Sequence, residues 1–193
     1  MPLTDEQLAM SAMNGNQEAF TDLVTAHQRK VYGLALHLLR NQQDAADAAQ
    51  EAFMRCYTSL QSFDPSRNFG AWLYRIAYNH CLDVLRQRKR TPLVASSRHD
   101  DDHVAPEAPD PGPGVEELVE RVESVETVKQ AMNRLSAEHS HILALRYTLD
   151  LSYAEIAEVV GAPESTVTMR LYHAKRALRT VLRDQGEGTY ASS

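Results

Sequence analysis

Cysteine is scarce in this sequence: Cys56 and Cys81 are the only two among 193 residues. Neither sits in a CxxC or Cys/His ligand spacing, which favours buried thiols over redox or metal roles. Each falls within a helical apolar pattern, as buried thiols do. Long apolar runs are missing as well. No stretch approaches the roughly 18 uninterrupted apolar residues of a membrane span, and residues 1–16 carry acidic and polar groups instead of a basic start and an apolar core. The expectation is a cytoplasmic protein without membrane insertion. Period-two alternation of β-branched residues is absent, so strands are not expected. Catalytic patterns are absent too: the eight histidines form no HExxH, no glycine-rich loop follows a strand, and no Ser/His/Asp set stands out. The chain is read as a non-enzyme with no cofactor and no metal.

What is present is helical patterning in two blocks. Apolar content of 43% is that of a globular chain. Residues recur at 3.6-residue spacing in three long runs: Phe20, Leu23, Val24, Val31, Leu34 and Leu38; Ala45, Ala49, Ala52, Phe53, Cys56 and Leu60; and Trp72, Leu73, Ile76, Ala77, Val84 and Leu85. A shorter helix precedes them, opened by Thr4 with Gln7 as a capping box and closed near Gly15. Five of the eight prolines, two glycines and the triplet Asp100, Asp101, Asp102 then crowd into residues 91–114. That segment cannot bury a core and reads as an extended acidic linker. After it, Leu118, Val122, Val125, Val128, Met132 and Leu135 line a helix, followed by apolar runs at 141–147, 153–160 and 165–182. The fold class expected is all-α: two small helical domains, 1–90 and 115–185, joined by the linker 91–114 and ending in a disordered tail, 186–193.

The strongest local signal is SYAEIAEVVGAPESTVTMRLYHAKRAL, residues 152–178. Ser152 and Glu155 make a capping box, and Ile156, Ala157 and Val160 give the first helix a buried face. Gly161 tolerates the positive φ of a tight interhelical turn, and Pro163 presets φ at the start of the next helix. Val167, Leu171, Ala174 and Leu178 continue the apolar stripe. This is the pattern of a helix-turn-helix. Net charge of −6 conceals the distribution: residues 1–90 carry +1, 91–114 carry −4 and 115–193 carry −3. Within 164–183, five cations (Arg170, Lys175, Arg176, Arg179, Arg183) face one acid, which suits a helix laid in the major groove.

Two blocks of the first half, FTDLVTAHQRKVYGLALHLLRNQQDAADAAQEAF and FDPSRNFGAWLYRIAYNHCLDVLRQRKR, resemble region 2 of extracytoplasmic-function sigma factors of the sigma-70 family. The helix-turn-helix half resembles their region 4. The likeness covers about residues 5–90 and 120–183, in the family's order. It implies a transcription initiation factor that directs core RNA polymerase to promoters, aids DNA opening, and is controlled by an anti-sigma factor.

The resemblance also distributes roles. Asp44, Asp47, Gln50 and Glu51 match the stretch that docks on the β′ clamp helices; a solvated acidic face is the plain physical alternative. The family's Asp-Ala-Glu-Asp-Leu begins here as Asp44-Ala45-Ala46-Asp47-Ala48, lacking an acid and a leucine. Aromatics and cations interleave from Phe63 onward, as capture of an unstacked base and its backbone requires. The set implied at the minus-10 element is Phe63, Arg67, Phe69, Trp72, Arg75, Asn79 and Arg86, with Trp72, Ile76 and Ala77 also fitting a core. Asn79 is favoured over any single aromatic. Region 4 implies contact with the β flap, and with the minus-35 element through Thr166, Thr168, Met169, Arg170, Tyr172, His173, Lys175 and Arg176. Thr168 and Met169 depart from the family's usual Lys or Arg followed by Ser, which shifts base readout toward Arg170. Extended, the 24-residue linker spans up to about 80 Å; its acids either imitate RNA charge in the polymerase cleft or serve as an inert spacer. A stand-alone repressor or activator, and a module that sequesters polymerase, are the competing readings.

Overall fold

A computed structural model of the protein describes residues 3–90 and 125–190. Among these residues there are helices and no strands. The first block holds α1 (Asp5–Met13), α2 (Gln17–Leu39), α3 (Gln42–Ser59), a short 3-10 turn (Leu60–Ser62) and α4 (Phe69–Arg90). The second holds α5 (Val125–Arg134), α6 (Ala137–Tyr147), α7 (Tyr153–Val160) and α8 (Glu164–Tyr190). The expected all-α architecture is observed. The linker 91–114, with Leu118 and Val122, lies outside the described residues.

Helix starts are set by short polar side chains that satisfy otherwise orphaned backbone N–H groups. At α1 the Gln7 N–H donates to Thr4 Oγ1 at 3.3 Å and the Thr4 N–H to Gln7 Oε1 at 2.9 Å. Asn16 accepts from Glu18 and Ala19 to open α2, and Asn41 accepts from Asp44 to open α3. Between α2 and α3 the chain turns through Arg40 in the left-handed region, φ +53°. The same capping logic opens α7, where Ser152 and Glu155 exchange bonds, and Gly161, φ +67°, ends it. Any L side chain at Gly161 is strained by that φ, although the space around it is open.

In the first block α2, α3 and α4 bury one stripe each. Leu23, Val31, Leu34 and Leu38 meet Ala45, Ala48, Ala52 and Cys56, and both meet Phe69, Leu73, Ala77 and Cys81. The small residues of α3 let its backbone approach closely, while each large apolar side chain contributes about 1.5–3 kcal/mol by leaving water. Both thiols are buried, and burial pushes the Cys56 thiol up to about 12. Ala49 and Phe53, expected in the core stripe, are only half-buried, because Ala48 takes the innermost position. In the second block Leu143, Leu145, Ile156, Val159, Val167 and Leu171 form the core. The tail expected from 186 onward is helical through Tyr190. Extending an existing helix is far easier than nucleating one, and 180–190 contains no proline to stop it, so Gly186 and Gly188 do not end α8.

The blocks are not separate. Their buried residues form one connected set, with α2 packed on α6 and α4 on α7. His37 on α2 donates from Nε2 to the Ser140 carbonyl at 3.0 Å and lies 2.7 Å from Ser140 Oγ, which itself donates to the Met132 carbonyl. The donors thus fix the His37 proton on Nε2. His141 lies beside His37 and Tyr78, with ring centroids 6.3 and 6.5 Å away. Burial, then the neighbouring His37 and Arg40, push the His141 imidazole down to about 4.

The sign of that shift gives a pH dependence. The unfolded chain takes up the His141 proton near pH 6.5, whereas the folded chain takes it up only near pH 4. Stability attributable to this group is therefore full above about 6.5, falls as the pH drops through this window and is gone below about 4. Urea midpoints of the wild type between pH 7.5 and 4.5 are expected to fall more steeply than those of His141→Gln. Equal slopes in the two proteins would remove His141 from the account.

Candidate functional site

Three faces carry the residues singled out from sequence. On α3, Asp47 and Gln50 are exposed, while Asp44 and Glu51 are half-exposed and already held by cations of this chain. Arg88 pairs with Asp44, and Arg55 Nε reaches Glu51 Oε1 at 2.7 Å. That hydrogen bond holds the Glu51 carboxyl below its ordinary range. Asp47 accepts from Gln43 at 3.3 Å. Beside these acids runs an apolar groove of about 420 Å³ lined by Phe20, Val24, Gln50, Phe53, Met54 and Tyr57. Phe20 and Tyr57 meet edge to face at 4.9 Å. Met54 and Tyr57 are more than half exposed, at 57% and 52%. Gln50 belongs to both features, so charge and apolar surface form one continuous face.

The second face is the loop before α4 and the helix itself. Asn68 accepts from the Ala71 N–H at 2.8 Å and so opens α4, helped by Glu6 of α1, which accepts from Phe69 at 3.3 Å. Asp64 accepts from the Ser66 N–H and hydroxyl, which tightens the turn. Phe63, Phe69 and Trp72 cluster with centroids 5.1–5.9 Å apart. Below them the buried His27 bridges Asp5 Oδ2 and the Tyr74 hydroxyl, both at 2.8 Å. Gly70 sits against this bridge; a Cβ there would meet Asn68 Oδ1 at 3.2 Å and the His27 ring at 3.4 Å.

Sequence reasoning grouped Phe63 and Phe69 with the base-contacting residues; in the structure both side chains are buried. They are 4% and 1% exposed, packed beneath the loop, and offer no face to a base. Trp72 is half-buried at the margin of the cluster. Arg75, Asn79 and Arg86 are exposed and, at about 100° per residue, lie within about 40° of one another on α4. Arg86 pairs with Asp83, and Arg67 Nη2 reaches Glu158 Oε2 of α7 at 2.7 Å.

The third face is the start of α8. Thr168 and Met169 point to solvent, and the Thr168 hydroxyl donates back to the Glu164 carbonyl. Arg170 Nε instead reaches Glu138 Oε1 of α6 at 2.9 Å. Thr166 is half-exposed, Tyr172 and His173 stack edge to face at 5.4 Å, Lys175 lies over the Tyr147 ring at 5.6 Å, and Arg176 is exposed. The helix thus divides into an outward apolar and hydroxyl start and a cationic remainder. Among the described residues no group of His, Cys, Asp and Glu could hold a metal ion, and no helix is long and apolar enough to cross a membrane.

These faces match a known family in both halves. The family model for sigma-70 region 2 matches residues 23–91, and that for sigma-70 region 4 matches 126–178. The ECF RNA polymerase sigma factor SigW of Bacillus subtilis is 35% identical over 88% of this chain and 92% of its own length. This chain belongs to the ECF RNA polymerase sigma factors. The RNA polymerase sigma-H factor of Pseudomonas aeruginosa is 34% identical over 92% of this chain and 93% of its own. Among solved structures, CnrH in complex with the cytosolic domain of CnrY is 26% identical, with a TM-score of 0.67 over 93% of this chain and 97% of that one. The sigma factor RpoE of Bartonella quintana, solved with the anti-sigma factor NepR, shares the fold at 23% identity: its TM-score is 0.66 over 85% of this chain and 96% of that one.

Within this ECF sigma factor, region 2 carries the acid-and-groove face together with the α4 stripe, and region 4 carries the start of α8. Sequence reasoning missed the groove because Phe20, Val24 and Phe53 satisfy a core period. The available signal was Met54 and Tyr57, apolar residues at helical spacing from Gln50 on the polar side of α3. The division between support and surface is measurable. Phe69→Ala is expected to destabilise the protein by about 3–5 kcal/mol in urea titration, while Asn79→Ala stays within about 0.5 kcal/mol of wild type. The reverse order would put Phe69 on the surface and Asn79 in the core.

Proposed function

We propose that this sigma factor directs core RNA polymerase to specific promoters and promotes DNA opening at the start site. One observation carries the reading: on α4 the cations and Asn79 emerge opposite the buried stripe, in the same chain as a helix-turn-helix whose second helix exposes its opening residues. Opening DNA requires a surface that holds unstacked bases and the freed backbone; Trp72, Arg75, Asn79 and Arg86, with Arg67 in the preceding loop, supply it. Phe63 and Phe69 support that loop from beneath. Duplex reading at the minus-35 element falls to Thr166, Thr168, Met169, Arg170, Tyr172 and His173, with Lys175 and Arg176 on phosphates.

Core polymerase docks on the face of Asp44, Asp47, Gln50 and Glu51, and on the β flap through region 4. The groove beside Gln50 adds apolar area to a contact that the missing acid and leucine around Ala46 would otherwise weaken. Two modest contacts joined through residues 91–114 act as one strong one; the domain limits 1–90, 91–114 and 115–185 belong to this reading, and so does a cytoplasmic setting. Control by an anti-sigma factor belongs to the same reading. No step of this mechanism asks the chain to make or break a covalent bond, so it acts as an adaptor and not as an enzyme.

In transcription with purified core polymerase, Asp47→Ala is expected to weaken core binding. Asn79→Ala is expected to reduce open-complex yield with core binding unchanged. Arg170→Ala is expected to reduce discrimination at the minus-35 element by about 1–3 kcal/mol. Failure of the wild-type chain to bind core, or binding without start-site choice on its own genome's templates, would overturn the function.

A further inference from the structure

We infer that the start of α8 reads thymine in the major groove: Met169 and Thr168 pack against the 5-methyl group of a thymine in the minus-35 element, and this contact fixes the position at which thymine is preferred. The inference rests on the minus-35 assignment above and names the base which that assignment leaves open. It is carried by what α8 turns outward. Val167, Leu171 and Ala174 bury one stripe, so at about 100° per residue Ser165, Thr168, Met169 and Tyr172 share the opposite side. Met169 is 40% exposed, an apolar side chain that the fold leaves in water. The Thr168 hydroxyl donates to the Glu164 carbonyl at 3.0 Å. Its proton is thus spent within the helix, and what it keeps for a base is a lone pair and a methyl. Arg170, one residue further and about 100° round the helix, is turned to Glu138 of α6 at 2.9 Å.

Base-edge chemistry then selects the base. Each pair presents hydrogen-bond donors and acceptors in the major groove, and the thymine 5-methyl is the apolar group among them. Guanine is read by paired donors such as an arginine guanidinium, adenine by an asparagine or glutamine amide, and cytosine by a carboxylate. Neither Thr168 nor Met169 supplies any of these groups. A thioether and a methyl complement another methyl, because contact takes both surfaces out of water. Position along the helix agrees. Met169, Arg176 and Arg183 are spaced by seven residues, which places them on nearly one line of the helix with about 10 Å between neighbours. Arg176 and Arg183 are exposed. An apolar tip in a groove about 12 Å wide is thus followed by cations within reach of its phosphate walls. The cations supply grip without sequence information, and the tip supplies the choice of base.

The test uses the full chain bound to core polymerase, with duplex templates carrying a promoter mapped on its own genome. Each thymine of the minus-35 element, on either strand, is replaced in turn by deoxyuridine, which removes the 5-methyl and keeps the pairing. At one or two positions the replacement is expected to lower the affinity of the complex about three- to fivefold, the equivalent of one buried methyl. Met169→Ala, at an exposed position, is expected to bind the thymine and deoxyuridine templates equally, and Met169→Leu to restore the difference. Thr168→Val, which keeps the methyl and removes the hydroxyl, is expected to retain the wild-type preference. Unchanged affinity at every replaced thymine, an element without thymine on either strand, or a deoxyuridine loss that persists in Met169→Ala overturns the inference. So does loss of the preference in Thr168→Val, which would return the reading to a hydroxyl hydrogen bond. A complex with no minus-35 preference at all would fault the promoter-reading assignment itself, whereas a preference that ignores the methyl faults this inference alone.

Discussion

The constraint on which the rest of the molecule depends is that α4 can bury only one stripe. Phe69, Leu73, Ala77 and Cys81 face α2 and α3, and the geometry of about 3.6 residues per turn then leaves no choice about the other side. Arg75, Asn79 and Arg86 must emerge together, with Trp72 on the flank. The start of the helix is held just as firmly. Asn68 and Glu6 satisfy its first N–H groups, and the Asp5–His27–Tyr74 bridge fixes α1, α2 and α4 in register. A binding surface gains from such rigidity, because little conformational freedom is left to lose when a ligand is held.

How much of this was legible in the sequence follows from the range of the forces involved. Capping boxes at Thr4 and Ser152, the left-handed Gly161 and the stripe from Val167 to Leu178 are local: each is decided within a turn or two of helix, and each was readable. The family's region 2 and region 4 were readable for the same reason, since their motifs are contiguous. Phe63 and Phe69 were not, because a period says that a residue faces something without saying what covers it. Their partners are Trp72 of α4 and the His27 bridge, the latter brought in by α1 and α2. The groove was hidden by the same ambiguity: Phe20, Val24 and Phe53 obey the core period but lie at its rim. The contact of His37 with Ser140, 103 residues apart, leaves no local trace at all.

Electrostatics follow one theme across the molecule. Five of the charged residues given a role are matched with an opposite charge from their own chain: Asp44 with Arg88, Glu51 with Arg55, Arg67 with Glu158, Arg86 with Asp83, Arg170 with Glu138. All of these pairs are well exposed, so water and salt screen them and they add little to stability. Their value lies in being exchangeable. A buried pair of the same kind would be costly to break and would resist a new partner.

Exchangeable pairs also explain how a protein of net charge −6 can approach nucleic acid. What matters to a phosphate is the local cation it meets, and here Arg67 meets Glu158 and Arg170 meets Glu138. Glu158 and Glu138 screen these two guanidiniums and lower the local positive charge on which counterion release depends. A phosphate that displaces either acid meets an uncovered guanidinium, so the charge that counts is set pair by pair and not by the net charge of the chain.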